Sequence, residues 1–76
     1  MTFEAKPTTE IIQIANAGGG FKLDASSRPT IELVQIASAA SNKGARVVFS
    51  GISRNKTTVE LIQIANAGGG SVSFED

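Results

Sequence analysis

The sequence predicts a single α/β domain over residues 1–76: a two-layer, singly wound, four-stranded parallel sheet in the order 1-2-3-4, with three helices on one face. Three observations predict it. One segment occurs twice almost verbatim, as Ile11–Gly20 and Leu61–Gly70, and a diverged version, Leu33–Ala39, lies between them. Apolar residues follow a helical period inside these segments and a period of two between them. Glycines close the two near-identical segments, and Gly44 follows the middle one, where a helix must stop.

The first strand is expected at residues 2–6, where Phe3 and Ala5 alternate with Thr2, Glu4 and Lys6. Pro7 then suits the start of a helix in which Ile11, Ile12, Ile14 and Ala15 fall within an arc of roughly 160°. Glu10, Gln13 and Asn16 take the opposite side, and Gly18-Gly19-Gly20 supplies the stop. A second strand near 20–25 alternates Phe21, Leu23 and Ala25 with Lys22, Asp24 and Ser26. The middle helix opens at Pro29, carries Leu33, Val34, Ile36 and Ala37, and closes at Asn42-Lys43-Gly44. A third strand near 45–52 sets Val47, Phe49 and Gly51 against Arg46, Val48 and Ser50. Thr57 and Glu60 have capping-box spacing before the last helix. The chain finishes with a strand near 70–75, in which Val72 and Phe74 alternate with Ser71, Ser73 and Glu75. The order is therefore βαβαβαβ.

Parallel strands joined through a helix cross over right-handed in nearly all proteins. If each strand lies beside its predecessor, all three helices share one face and the other face stays bare. A doubly wound sheet buries both faces, and its strands read as continuous apolar runs. Here only one face of each strand is apolar, carrying Phe3, Phe21, Phe49 and Phe74, so the single layer of helices is preferred. The pattern resembles that of the α/β solenoids, such as the leucine-rich repeat proteins, and implies a solenoid-like repeat. The consensus of that family is absent from Phe21-Lys22-Leu23-Asp24 and Val47-Val48-Phe49-Ser50, so the likeness carries no function. Near identity between segments fits recent duplication and deliberate design equally.

Composition removes several functions. A 76-residue chain buries only about 60% of its unfolded surface, so its stability margin is narrow. It has no cysteine and no histidine, which excludes disulfides, thiolate and imidazole metal sites, and the usual nucleophile–base pairs. No cofactor is expected and the chain does not read as an enzyme. Seven basic and seven acidic residues cancel, leaving no footprint for nucleic acid or an anionic membrane. The opening residues show no secretion signal and no apolar run is long enough for a transmembrane helix, so a cytoplasmic protein is expected.

Two sets of residues stand out. The glycine triplets are not among them: a phosphate loop follows a strand and opens a helix, whereas these follow a helix. The first set is the edge where strands end and helices begin, holding four of the seven basic residues, Lys6, Arg28, Arg54 and Lys56, together with Thr57. Helix N-termini add partial positive charge there, which suits an anion or a nucleotide. The second is the bare sheet face, with Lys22, Arg46, Val48 and Ile52 as protein-binding candidates. The preferred reading is a non-enzymatic structural or interaction module that self-associates or binds another protein. The alternative is an anion- or nucleotide-binding module at the strand ends.

Overall fold

A computed structural model describes residues 6–26, 28–52 and 56–75. The elements run α1 (Thr8–Asn16), β1 (Phe21–Asp24), α2 (Thr30–Lys43), β2 (Val47–Ser50), α3 (Thr58–Gly68) and β3 (Val72–Glu75). The strands form one all-parallel sheet in the order β1-β2-β3, with β2 in the centre. The additional strand expected at residues 2–6 lies, but for Lys6, outside the described residues; among the described residues the sheet has three strands.

Alternation along the strands decides what is buried. Phe21 pairs with Val47 and Val47 with Val72; Leu23 pairs with Phe49 and Phe49 with Phe74. These rows point to the core, where Leu23 and Phe49 are fully buried, while Lys22 and Asp24 face solvent. The helices lie side by side, α1 against α2 and α2 against α3. They bring Ile11, Ala15, Leu33, Ile36, Ala37 and Ile64 into the same core, every one fully buried. Long aliphatic side chains spaced three and four apart on each helix produce this stripe.

Phe74 lies on the same face as Phe49, as the alternation predicts, but it is 39% exposed, because β3 is an edge strand with no helix beyond α3 among the described residues. One expectation is overturned: continued alternation predicts Ile52 on the bare face, yet it is 1% exposed. The strand ends at Ser50, and Gly51 takes φ +65°, a left-handed conformation that breaks the alternation and turns Ile52 inward. Gly20 has a different role. A Cβ placed on it would sit 2.6 Å from the carbonyl oxygen of Arg46, so β1 can begin beside β2 only because no side chain is there.

The helix ends follow local chemistry. Pro7 and Pro29 are N-cap residues and give no side-chain cap; Thr57 forms a full capping box with Glu60. At the other ends, Gly44 and Gly69 are left-handed caps. The third helix continues through Gly68, one residue into its triplet.

Candidate functional site

All three helices begin near the same rim, and the sequence around each start is alike: Lys6-Pro7-Thr8-Thr9-Glu10, Arg28-Pro29-Thr30-Ile31-Glu32 and Lys56-Thr57-Thr58-Val59-Glu60. The rim residues tie each helix start to the next. Arg28 donates through Nη2 to the carbonyl of Lys6 at 2.7 Å and through Nη1 to Thr8 Oγ1 at 2.7 Å. Thr8 in turn donates to Glu32 Oε1. One unit later, Lys56 Nζ donates to the carbonyl of Arg28 at 2.9 Å, and Thr30 Oγ1 donates to Glu60 Oε2 at 2.9 Å. The two sets are equivalent: a first-turn threonine reaches the glutamate of the following helix, and a basic residue reaches back to the carbonyl of the preceding one.

Proline explains part of this. With no side-chain acceptor and no N–H, Pro29 cannot complete a capping box, so Glu32 is available to take the hydroxyl of a neighbouring helix. Thr57 keeps its N–H, and Glu60 serves both partners: Oε1 accepts from Thr57 N at 2.9 Å and Oε2 accepts from Thr30. The backbone N–H of Thr57, then the Thr30 hydroxyl, hold the Glu60 carboxyl below its ordinary value, with Lys56 adding to the effect. Lys6 lies 3.8 Å from Glu10 within its own first turn.

The rim therefore gathers four of the five residues expected there, Lys6, Arg28, Lys56 and Thr57; Arg54 lies outside the described residues. Their donors are turned onto carbonyls, hydroxyls and carboxylates of the fold itself. A glutamate also stands in the first turn of every helix, offsetting the positive helix ends. This geometry laces the helices to one another.

The open sheet face is less organised. Lys22 on β1 forms an ion pair with Glu75 on β3, crossing above β2. Val48 is the register neighbour of both Lys22 and Ser73 and is half-buried. Arg46 is exposed just ahead of β2, and its carbonyl accepts the N–H of Phe21. With Ile52 in the core, Lys22, Arg46 and Val48 do not make an apolar anchor. Asp24 accepts the backbone N–H of Ser26, which with the Ser26 side chain lowers its carboxyl pKa. On the solvent side of the helices, α1 and α2 leave a shallow groove of about 470 Å³ between Ile12, Asn16, Val34 and Gln35, with no charged side chain lining it.

The outer helix faces are the most informative surfaces. Thr8, Ile12 and Ala15 lie on the side of α1 that meets α2; their counterparts are Thr30, Val34 and Ala37 on α2, and Thr58, Ile62 and Ala65 on α3. Ala15 and Ala37 are fully buried, whereas Ala65 is exposed and Ile62 is 54% exposed. On the opposite side, Glu60, Ile64 and Ala67 face α2, and their counterparts on α1 are Glu10, Ile14 and Ala17. Ile64 is fully buried; Ile14 is only half-buried, and Ala17 is exposed. Both outer faces are thus apolar surfaces of the kind that the inner faces bury.

Sequence reasoning missed Thr8, Thr30 and Glu32 as linking residues. The signal was present in the basic–x–Thr–x–Glu pattern at every helix start, but a helix-by-helix reading treats those residues as caps. Among the described residues, no group of three His, Cys, Asp or Glu side chains could hold a metal ion, and no helix is long and apolar enough to cross a membrane. Comparison of the chain with protein-family models, curated proteins and solved structures gave no match.

Proposed function

We propose that the chain is a non-enzymatic structural module, a solenoid-like run of strand–helix units that works by binding protein, and itself above all. One observation supports this reading more than any other. The same alanine position is sealed in α1 and α2, as Ala15 and Ala37, and open in α3, as Ala65. A small domain with a narrow stability margin gains by covering such a face. Light scattering across a dilution series from millimolar to low micromolar tests it. Apparent mass should rise with concentration; a monomer at every concentration would remove self-association.

The anion reading is tested beside it. Thermal melts in millimolar phosphate should show no concentration-dependent rise, because Arg28 and Lys56 are already engaged with the fold. A saturable rise that Arg28→Ala abolishes would restore that reading.

A further inference from the structure

From the match between the outer faces and an internal junction, we infer that a second chain docks the outer face of its α1 on the outer face of α3, repeating the α2–α3 packing and so joining chains head to tail. The inference rests on the self-association proposed above and specifies its geometry.

The α2–α3 junction is the template. The α2 side presents Thr30, Val34 and Ala37, and the α3 side presents Glu60, Ile64 and Ala67. Thr30 donates to Glu60 at 2.9 Å, Lys56 donates to the carbonyl of Arg28 at 2.9 Å, and Ile64 and Ala37 are fully buried. The helices come close: a Cβ added to Gly68 would stand 3.6 Å from that of Ala37.

The outer faces carry the two halves of this junction. The outer face of α3 presents Thr58, Ile62 and Ala65, which reproduces Thr30, Val34 and Ala37 with one methylene added at the middle position. The outer face of α1 presents Glu10, Ile14 and Ala17, identical in type to Glu60, Ile64 and Ala67. Each of the six is at least as exposed as its counterpart in the junction, and Thr58, Ile62, Ala65, Glu10 and Ala17 are all exposed. The polar ties carry over as well. Thr58 is placed to donate to Glu10 of the incoming chain, and the incoming Lys6 to accept the role of Lys56 and reach the carbonyl of Lys56. Leu61, half-buried where Leu33 is fully buried, becomes covered by the same docking.

The two faces differ from each other, so neither can pair with itself through this contact. A heterologous interface does not stop at two chains; it continues into rings or filaments. Charge permits the approach, since seven basic and seven acidic residues leave no net repulsion.

Two one-sided variants test the geometry by sedimentation velocity. Ala65→Arg blocks the α3 face and Ala17→Arg blocks the α1 face; both positions are exposed in the single chain, so folding should persist, as checked by circular dichroism. Ala65→Asp and Ala17→Asp replace any arginine variant that fails to fold. The unsubstituted chain should form species larger than a dimer as concentration rises. Each variant alone should be monomeric, its self-association weakened by more than about tenfold. An equimolar mixture should give a dimer and nothing larger, because one good face survives on each partner. If the unsubstituted chain associates but either variant alone matches it, or the mixture stays monomeric, the head-to-tail geometry is wrong while self-association stands. If the unsubstituted chain stays monomeric throughout, both readings fall.

Discussion

Phe49 and Phe74 are neighbours in register on adjacent parallel strands and point to the same face, but Phe49 is fully buried and Phe74 is 39% exposed. Truncating each to alanine therefore isolates burial from residue type and strand position. Removing a fully buried phenylalanine costs about 3–5 kcal/mol, the lost transfer energy plus the cavity left behind. A domain of this size has a total stability of about 4–11 kcal/mol, so Phe49→Ala should bring it to the edge of unfolding. Phe74→Ala leaves a site already open to water, which relaxes without a closed cavity, and about 1–2 kcal/mol should be lost. Urea titrations followed by circular dichroism, at concentrations where the chain is monomeric, measure both. With a slope of about 1 kcal/mol per molar, the midpoints should differ by about 2 M, the buried position being the weaker variant. Phe49→Leu gives a measurable transition should the alanine variant not fold. Equal losses at the two positions would refute the layer assignment, because they would mean that both rings, or neither, are covered by helices.

Ile36→Asp should unfold the domain outright, since it buries a carboxylate with no partner, whereas Ile14→Asp, at a half-buried site, should leave a cooperative transition; retained folding of the first variant would contradict the core. Gly20→Ala should be strongly destabilising because its Cβ meets the Arg46 carbonyl oxygen at 2.6 Å, and a melting temperature unchanged from the parent would show that β1 and β2 are not so close. The Glu60 carboxyl is lowered by its hydrogen bonds from an ordinary value of 4.5, so its contribution to stability is complete above that pH and disappears as pH falls through the lower, folded value. Stability measured against pH should accordingly fall less in acid for Glu60→Gln than for the parent, and identical acid profiles would deny the Thr57 and Thr30 bonds.

Most of the secondary structure was legible because its signals are local. Helical spacing in Ile11–Ala15 and Leu61–Ala65, alternation in Phe21–Asp24, and a glycine at the end of a helix all act within a few residues. The parallel order of the three described strands followed from chain topology rather than from any side chain. What stayed hidden depends on neighbours. Ile52 reads as an outward residue if alternation is continued from Val48 and Ser50, and only the backbone turn at Gly51 reverses it. Phe74 reads like Phe49, since exposure at an edge strand is not encoded in the strand's own pattern. At the rim, the sequence shows Lys6, Arg28, Lys56 and Thr57 at the starts of helices but does not show their partners. A basic residue near helix starts looks the same whether it awaits an anion or binds a carbonyl 22 positions away, as Arg28 does with Lys6.

The near identity of α1 and α3 has a cost during folding. Each carries nearly the same apolar stripe, and α2 offers a seat on either side, so the two segments compete for the same partner before the strands are fixed. Side-chain recognition alone discriminates poorly between them, which roughens the folding landscape and favours exchanged or swapped arrangements. Order then comes from connectivity: β1 tethers α1 to one flank of α2 and β2 tethers α3 to the other.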